Sequence, residues 1–269
     1  MIFLKLGGSL ITVKDRPETV RGEVLDRLAR EIAEARRADP TLKLLLGHGS
    51  GSFGHIAASR HGTHLGGDDW IGLADVWRSA NQLNRLVIDS LIRAGLPALS
   101  FPPSASARAR SGEIVELAVE PIRRSIEAGL LPVVQGDIAF DEVIGTTILS
   151  TERVFTFLAP RLTPRRLLLA GIDPGVFLDY PRNTRVAEVL RESNVAALSI
   201  GGSSATDVTG GMADKVRHAL AMASARPGMD VRIFSAESPG SLLSVLLGAS
   251  PGTQVLATHT GPNPQTLPC

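Results

Sequence analysis

A buried apolar run that empties into a glycine-rich loop most limits how this chain can fold. The run reads as a β-strand that ends at Gly47, and Gly49, Gly51, Gly54 and His55 follow in close succession. Glycines let backbone N–H groups approach an anion closely, and a helix after the loop would add its positive N-terminal end. The segment therefore predicts a strand–loop–helix unit that binds a phosphate group.

The loop alone leaves its ligand open. Residues 49–54 match the G-x-G-x-x-G pattern of dinucleotide-binding proteins, and Asp68 and Asp69 lie near the spacing expected for a ribose-binding acid. An ordinary strand–turn–helix connection would use the same residues. The loop by itself therefore allows a nucleotide site, another phosphate site or a plain connection.

Short apolar runs alternate with amphipathic stretches along the whole chain. Alternating strands and helices predict an α/β fold with a mostly parallel central sheet, covered on both faces as a three-layer αβα sandwich. The predicted strands span residues 2–6, 42–46, 98–101, 132–135, 166–170, 231–234 and 254–258. The predicted helices span residues 22–37, 73–94, 117–128, 151–158, 211–225 and 240–247, and residues 102–112 are predicted to form a surface loop or hairpin. We expect one domain over residues 1–269, with an N-terminal lobe of about 1–160 and a C-terminal lobe of about 161–269.

Composition excludes several classes of partner. The net charge of +1 gives no electrostatic basis for binding nucleic acid or an anionic membrane. No apolar run is long enough to span a bilayer. The single cysteine, Cys269, cannot form an internal disulfide, which favours a cytoplasmic protein.

Four segments are suited to bind anions. KLGGS at residues 5–9 ends the first strand, the loop at 49–54 ends the second, QGD at 135–137 ends another, and DVTGGMADK at 207–215 leads into a helix. Lys215 near a helix N-terminus is unfavourable unless an anion lies in front of it. Lys5 and Lys14 also lie in or beside glycine-rich segments, although lysine is rare in this chain. No Walker A motif occurs, so the pattern indicates phosphoryl transfer in which lysines neutralise the transferred group.

Together these motifs resemble the amino acid kinase superfamily. Within it, the stretch HGSGSFGH at residues 48–55 is similar to that of the isopentenyl phosphate kinases. The resemblance covers almost the whole chain. It implies the amino acid kinase-like fold, ATP and Mg²⁺ as cofactors, a homodimer, and ATP-dependent phosphorylation of isopentenyl phosphate to isopentenyl diphosphate for isoprenoid biosynthesis. It also implies an acceptor phosphate site in the N-terminal lobe and an ATP site in the C-terminal lobe.

The resemblance further implies a role for individual residues. Asp137 would organise the lysines, and no protein side chain is expected to bind a metal directly. The residues expected to act in catalysis are His55, Lys5, Lys14, Lys215 and Asp137. Those expected to bind ATP are Lys5, Gly7, Gly8, Ser9, Ser50, Asp173, Gly211 and Lys215. Those expected to bind the acceptor phosphate are Gly49, Gly54, His55 and Gly136.

Three short segments depart from the pattern of the family. Ser50 stands within what is usually a run of three glycines, Thr151 and Glu152 stand where the family has Gly-Asp-Asp or similar, and Pro174 replaces one acid of a Thr-Asp-x-Asp-Gly motif. We expect the last two departures to affect the edge of the nucleotide site and to leave the transfer geometry unchanged.

Two alternatives remain open. A fosfomycin kinase-like enzyme, or another small-molecule kinase of the superfamily, would share the loop and the histidine. A non-catalytic nucleotide-binding module would use the loop alone and would leave residues 5–9 and 207–215 unexplained. For a small-molecule phosphate substrate with an organic tail, we expect an apolar wall formed by the helix at 73–94 and by Ile56 and Ala57.

Overall fold

The computed structural model describes residues 1–61, 69–195 and 211–257, without the side chains of His55, Asn194 and Val195. Its strands are β1 (Ile2–Leu6), β2 (Leu44–His48), β3 (Ala98–Ser100), β4 (Arg108–Arg110), β5 (Glu113–Glu116), β6 (Leu131–Gln135), β7 (Asp137–Asp141), β8 (Gly145–Leu149), β9 (Arg166–Gly171), β10 (Val189–Leu190), β11 (Asp230–Ser235) and β12 (Thr253–Val255). Its helices are α1 (Gly8–Ile11), α2 (Gly22–Ala38), α3 (Gly51–His61), α4 (Trp70–Arg93), α5 (Glu120–Glu127), α6 (Thr151–Leu162), α7 (Glu192–Val195), α8 (Gly211–Ala225) and α9 (Ser241–Leu246). Among the described residues, no helix has the length and apolar character needed to cross a membrane.

The main sheet has eight strands in the order β10-β12-β11-β9-β1-β2-β6-β3. Every neighbouring pair is parallel except β11 and β12. The predicted mostly parallel sheet is therefore confirmed. The sheet also runs through the expected lobe boundary near residue 160, because β9 pairs directly with β1. The division into an acceptor lobe and an ATP lobe stays a prediction.

Strand β1 illustrates why helices cover both faces of this sheet. Successive side chains of a strand point to opposite faces. Leu4 and Leu6 pack in a core with residues of α2, α4 and α9, whereas Phe3 packs in a second core with residues of α5, α6 and α8. Helices thus bury both faces, and the predicted three-layer sandwich is confirmed.

A second, four-stranded sheet lies beside the main one, in the order β5-β4-β7-β8. Strands β4 and β5 form an antiparallel hairpin, which agrees with the hairpin expected from residue 102 onward. Strands β7 and β8 form another antiparallel pair that the sequence analysis did not predict. Strand β7 of this sheet follows directly after β6, so the sheet reaches the edge of the candidate site.

Candidate active site

Four neighbouring strands, β9, β1, β2 and β6, end at the same edge of the main sheet. The chain places Gly171, the KLGGS motif, Gly49 and Gly136 at or just after these ends. Residues of α2, which follows β1, belong to one core, and residues of α8, which follows β9 in the chain, belong to the other. The helices that follow β1 and β9 therefore lie on opposite faces of the sheet. Open α/β sheets bind ligands outside the strand ends at the point where the helices change face, so this edge is the candidate active site.

Lys5 faces the side of the sheet that α6 and α8 cover. It lies on the same face of β1 as Phe3, whose ring centroid is 5.0 Å from that of Phe155 in α6. Glu152, in the first turn of α6, forms an ion pair with Nζ of Lys5, and the two side chains are only 12% and 8% exposed. Burial raises the pKa of Glu152, but the charge and hydrogen bond of Lys5 and the charge of Lys215 outweigh it, so this pKa lies below its ordinary value. The site therefore holds an ionised carboxylate against the lysine.

Lys215 approaches the end of β9 next to this pair. A Cβ built on Gly171 would lie 3.4 Å from Nζ of Lys215. A Cβ built on Gly7 would lie 3.7 Å from Cα of Gly171, so the turn after β1 is close by. The structure thus brings two of the predicted lysines, from β1 and α8, to the same carboxylate.

The two predicted phosphate loops touch through their backbones. A Cβ on Gly8 would lie 2.5 Å from N of Gly51, and a Cβ on Gly49 would lie 2.9 Å from N of Gly8. Gly51 also has a φ of +50°, a backbone conformation that is strained for residues with a side chain. Only glycine allows this contact, which sets the N-terminal ends of α1 and α3 side by side. Backbone amides at the start of a helix such as α3 favour an anion.

Ser50 lies between two residues expected at the acceptor phosphate. A Cβ on Gly54 would lie 2.7 Å from Oγ of Ser50, and a Cβ on Gly136 would lie 3.7 Å from the same atom. Gly136 is equally close to Oγ1 of Thr151, at 3.8 Å by the same measure. Ser50 thus lies beside two residues expected at the acceptor phosphate, and its predicted contact with ATP stays a prediction. Thr151 is a neighbour of this group that the sequence analysis had placed at the nucleotide edge.

His48 holds the end of β2 in place beneath the loop. It is buried, and its Nε2 lies within hydrogen-bond distance of Oδ1 of Asn84, at 3.0 Å. Burial lowers the pKa of His48 more than its hydrogen bonds raise it, so the ring is neutral. Oγ1 of Thr151 donates to the carbonyl oxygen of His48 at 2.6 Å. These bonds tie α4 and α6 to the strand end that begins the phosphate loop.

Hydrogen bonds from Ser104 and Ile138 hold the carboxylate of Asp137 in place. Its Oδ2 accepts hydrogen bonds from N of Ser104 at 3.0 Å and from Oγ of Ser104 at 2.6 Å, and Oδ1 accepts from N of Ile138. The chain turns at Gly136 after β6, so Asp137 begins β7 of the second sheet. Burial raises the pKa of Asp137 more than these hydrogen bonds lower it.

Glu152 makes an ion pair with Lys5, which is a contact of the kind that was expected of Asp137. The predicted role of Asp137 and the predicted transfer geometry both stay predictions. The ion pair forms because α6 packs on the face of β1 that carries Lys5. No local pattern around residue 152 shows this packing, so the sequence analysis missed Glu152.

Three predicted site residues lie at the surface. Lys14 is exposed in a turn between Thr12 and Val20, which form an antiparallel bridge. Ser9 is exposed in α1, and Asp173 is exposed in the bend after β9. Their predicted contacts with ATP or with the transferred phosphoryl group stay predictions.

Other predicted residues are described only in part. His55 lies in α3, and its side chain is outside the described atoms, so its contact with the acceptor stays a prediction. Gly211 begins α8 with a φ of +61°, whereas residues 207–210 of the same motif lie outside the described residues.

The structure gives Asp69, one of the two acids considered for a dinucleotide site, a contact within the protein. Asp68 lies outside the described residues, and Oδ1 of Asp69 accepts a hydrogen bond from N of Gly72 at 2.9 Å. That contact caps the N-terminus of α4. Asp69 therefore has a structural explanation.

A small apolar cluster lies between α3, α4 and the second sheet. Its members are Ala57, Ala58 and Val76, with Ile138 and Ile148 packed against them. The cluster agrees with the apolar wall expected from Ala57 and from the α4 region. It also adds β7 and β8, which the sequence analysis did not foresee.

Comparison with known proteins gives a family for this arrangement. A model of the amino acid kinase family matches residues 1–235. The isopentenyl phosphate kinase of Methanothermobacter thermautotrophicus is 34% identical over 273 residues, which cover 96% of this chain and 100% of the relative. That of Haloferax volcanii is 36% identical over 261 residues, which cover 95% and 98%. A crystal structure of an isopentenyl phosphate kinase matches with a TM-score of 0.80 at 31% identity and covers 95% of this chain and 99% of its own. This chain belongs to the amino acid kinase family and, within it, to the isopentenyl phosphate kinases.

Proposed function

We propose that this protein transfers the γ-phosphoryl group of ATP to isopentenyl phosphate, giving isopentenyl diphosphate and ADP. The observation that carries the proposal is the placement of Lys5 and Lys215 around the buried Glu152 at the ends of β1 and β9. The acceptor is proposed from the curated relatives that span the chain. Two anionic reactants repel each other, and ammonium groups fixed at their meeting point offset that repulsion.

The step needs charge neutralisation and alignment more than it needs a base. An oxygen of the acceptor phosphate forms a bond to the γ-phosphorus, the bond from that phosphorus to the β,γ-bridging oxygen breaks, and ADP leaves with the electron pair. The phosphate oxygen is already ionised at neutral pH. Lys5, which Glu152 orients through their ion pair, would contact the transferred group together with Lys215 and Lys14.

The remaining site residues divide between the two substrates. We propose that the acceptor phosphate binds to backbone groups of Gly49, Gly54 and Gly136 and to the imidazole of His55. The organic tail of the acceptor would lie against the small apolar cluster between α3, α4 and the second sheet. The residues proposed for ATP are Lys5, Gly7, Gly8, Ser9, Ser50, Asp173, Gly211 and Lys215.

ATP is proposed to enter as its magnesium complex. Within residues 1–61, 69–195 and 211–257, no three His, Cys, Asp or Glu side chains come together as a metal site. We propose that phosphate oxygens and water are the main ligands of the Mg²⁺, which is a common arrangement for this ion. When bound, the ion neutralises charge on the β- and γ-phosphates.

We further propose a homodimer located in the cytoplasm. An exposed apolar cluster of Trp70, Ile71, Trp77 and Phe140 supports a contact surface, and the Trp70 and Phe140 ring centroids lie 6.3 Å apart. Sedimentation velocity measures the oligomeric state directly.

An acceptor screen tests the proposed activity. Purified protein with MgATP is offered isopentenyl phosphate, dimethylallyl phosphate, fosfomycin, N-acetylglutamate or UMP, and ADP release is followed against a reaction without acceptor. We expect the highest kcat/KM with isopentenyl phosphate and a diphosphate product by phosphorus NMR. Preference for fosfomycin would support the related-kinase alternative. ATP binding without ADP release for any acceptor would support the non-catalytic alternative.

A further inference from the structure

The segment that carries Lys14 is a short turn that stands on the molecule's surface. We call residues 13–19 the Lys14 loop. Thr12 and Val20 pair at its base, N of Val13 donates to O of Thr19 at 2.9 Å, and the side chains from Lys14 to Glu18 are exposed. The loop closes on itself and contributes few side chains to either core.

A cavity lies beneath this loop. It has a volume of about 200 Å³, and Pro17 and Glu18 of the loop line it opposite Phe53, Ile56 and Ala57 of α3. Because a cavity, and not close-packed side chains, separates the loop from α3, apolar packing does little to fix the loop's position. Polar contacts must do so.

Those contacts converge on Glu18. Its Oε1 accepts a hydrogen bond from Nη2 of Arg78 at 2.7 Å and another from Oγ of Ser79 at 2.9 Å. Its backbone N donates to O of Ser52 at 3.3 Å. Arg78 is itself paired with Asp75 at 3.0 Å on the same helix. Glu18 therefore connects the loop to α4 through its side chain and to α3 through its backbone.

The backbone of Glu18 provides an independent sign of constraint. Its φ is +47°, in the left-handed region that residues other than glycine rarely adopt. Such a conformation persists only where the surrounding contacts impose it. The contacts with Arg78, Ser79 and Ser52 supply that constraint.

We propose that Glu18 is a positioning residue that holds Lys14 in place for phosphoryl transfer. The inference rests on the proposed function, in which Lys14 contacts the transferred group. The side chain of Glu18 contacts Arg78 and Ser79 of α4, whereas only its backbone N meets the glycine loop at 49–54, at O of Ser52. A change of the Glu18 side chain therefore acts on the reaction through the Lys14 loop. A displaced ammonium loses stabilisation of the transition state, because catalytic groups are sensitive to small shifts in position.

A mutant cycle tests this role. Kinetics are measured for Glu18→Ala, Glu18→Gln, Lys14→Ala and the Glu18→Ala/Lys14→Ala double variant. The exposed ion pair of Glu18 with Arg78 can favour the ordered position of the Lys14 loop over displaced positions by up to about fivefold. We therefore expect Glu18→Ala to lower kcat by about that factor, with little change in the thermal midpoint. Glu18→Gln keeps an acceptor oxygen for Arg78 and Ser79 and should lose less. In the Lys14→Ala background, Glu18→Ala should cause no further loss.

Asp15→Asn is the matched control. Asp15 is exposed in the same loop, and its neutralisation removes the same charge without removing the contacts of Glu18. We expect wild-type kcat for this variant. An equal loss in Asp15→Asn, an undiminished kcat in Glu18→Ala, or the same loss with and without Lys14 would each overturn the proposal.

The cycle also separates this inference from the proposed function. It is run with whichever acceptor wild-type protein phosphorylates best in the screen. Poor turnover of isopentenyl phosphate would contradict the proposed function alone, and the cycle would still decide the role of Glu18. Full activity of Lys14→Ala would overturn the role of Glu18 and the assignment of Lys14 together.

Discussion

Glu152 is the acid that pairs most directly with the active-site lysines, because it forms an ion pair with Nζ of Lys5. Burial raises the pKa of Glu152, but the charge and hydrogen bond of Lys5 and the charge of Lys215 hold this pKa below its ordinary value. An ionised carboxylate therefore fixes the position of Lys5 at the end of β1.

Glu152→Gln should lower kcat by about a hundredfold, because a Lys5 that loses its anchor no longer presents its charge in the required position. The KM for the acceptor should change less, since the glycine loops are unaltered. Steady-state kinetics with both substrates varied provide the measurement. Glu127→Gln, an exposed acid on α5, is the control and should match wild type. A Glu152→Gln variant with wild-type kcat would exclude this role.

Sequence alone predicted the lysines and glycines of the site better than its acid. Gly8 and Gly49 were identifiable because the close approach of two loops leaves room for no other residue type. Asp137 follows a predicted strand directly and the family resemblance implied a role for it, whereas Glu152 stood out only as a departure from the family pattern. Which of the two carboxylates meets Lys5 depends on how α6 packs on β1, and that is a tertiary contact with no local signature.

Among the secondary-structure elements, α6 carries Glu152 to the site only because β2 makes room for it. A Cβ on Gly47 would lie 2.5 Å from Cγ2 of Thr151 and 2.7 Å from Cζ of Phe155. Phe155 is fully buried, and the branched side chain of Thr151 has little rotational freedom. Any larger residue at position 47 must therefore displace the helix.

Gly47→Ala should destabilise the fold by about 1–3 kcal/mol, the usual cost of an overpacked core. It should also lower kcat, because the displaced helix carries Glu152 away from Lys5. Urea unfolding and kinetics measure the two effects. Gly22→Ala is the matched control, because nothing lies within 4 Å of a Cβ at that position. If both variants behave alike, the contact of β2 with α6 does not set the position of Glu152.

The two hairpins of the second sheet are joined by one carboxylate. Asp141 is buried, and its two oxygens accept hydrogen bonds from N of Ser111, Gly112, Val143 and Ile144. Burial raises the pKa of Asp141, but the four N–H donors outweigh it and hold this pKa below its ordinary value. The ionised carboxylate of Asp141 is therefore more stable in the folded protein than in the unfolded chain.

Asp141→Asn should reduce stability by about 1–3 kcal/mol at neutral pH, because an amide nitrogen would face the N–H of Gly112. The folded pKa lies below the unfolded one, so the stabilisation is complete above an unfolded pKa of about 3.9 and is lost as pH falls through the folded pKa. Urea unfolding at neutral pH and at a pH below about 4 should show the gap between variant and wild type narrowing in acid. Glu113→Gln on β5 is the exposed control. A gap that does not depend on pH would contradict the assignment.

Periodicity predicted seven of the eight strands of the main sheet, all except β10, and missed half of the second sheet. The core strands β1, β6 and β9 are continuous apolar runs because both faces are buried. Strand β7 alternates buried and less buried residues over only five positions, with Phe140 exposed, and the five residues of β8 do not alternate regularly. So short a pattern, without a long apolar run, is not distinguishable from a loop in a single sequence.

At the scale of the whole molecule, the two predicted lobes share one framework. Strand β1 lies between β2 of the first lobe and β9 of the second, and it pairs with both along its full length. Helix α2 of the first lobe also binds the segment before α9 of the second, since Glu31 accepts hydrogen bonds from N of Gly240 and N of Leu243. Residues of α2 and α9 belong to the same apolar core. Neither lobe keeps a complete core without the other.

Unfolding should therefore be one cooperative transition, although the chain has a predicted boundary near residue 160. Both tryptophans, Trp70 and Trp77, lie in α4, so tryptophan fluorescence reports on the first lobe alone. Far-UV circular dichroism reports on the helices of both lobes. In equilibrium urea unfolding, the two signals should give the same midpoint and slope, as expected for two-state behaviour. A dichroism transition that continues after the fluorescence change is complete would mean that the second lobe folds on its own, and that the pairing of β1 with β9 docks two independent units.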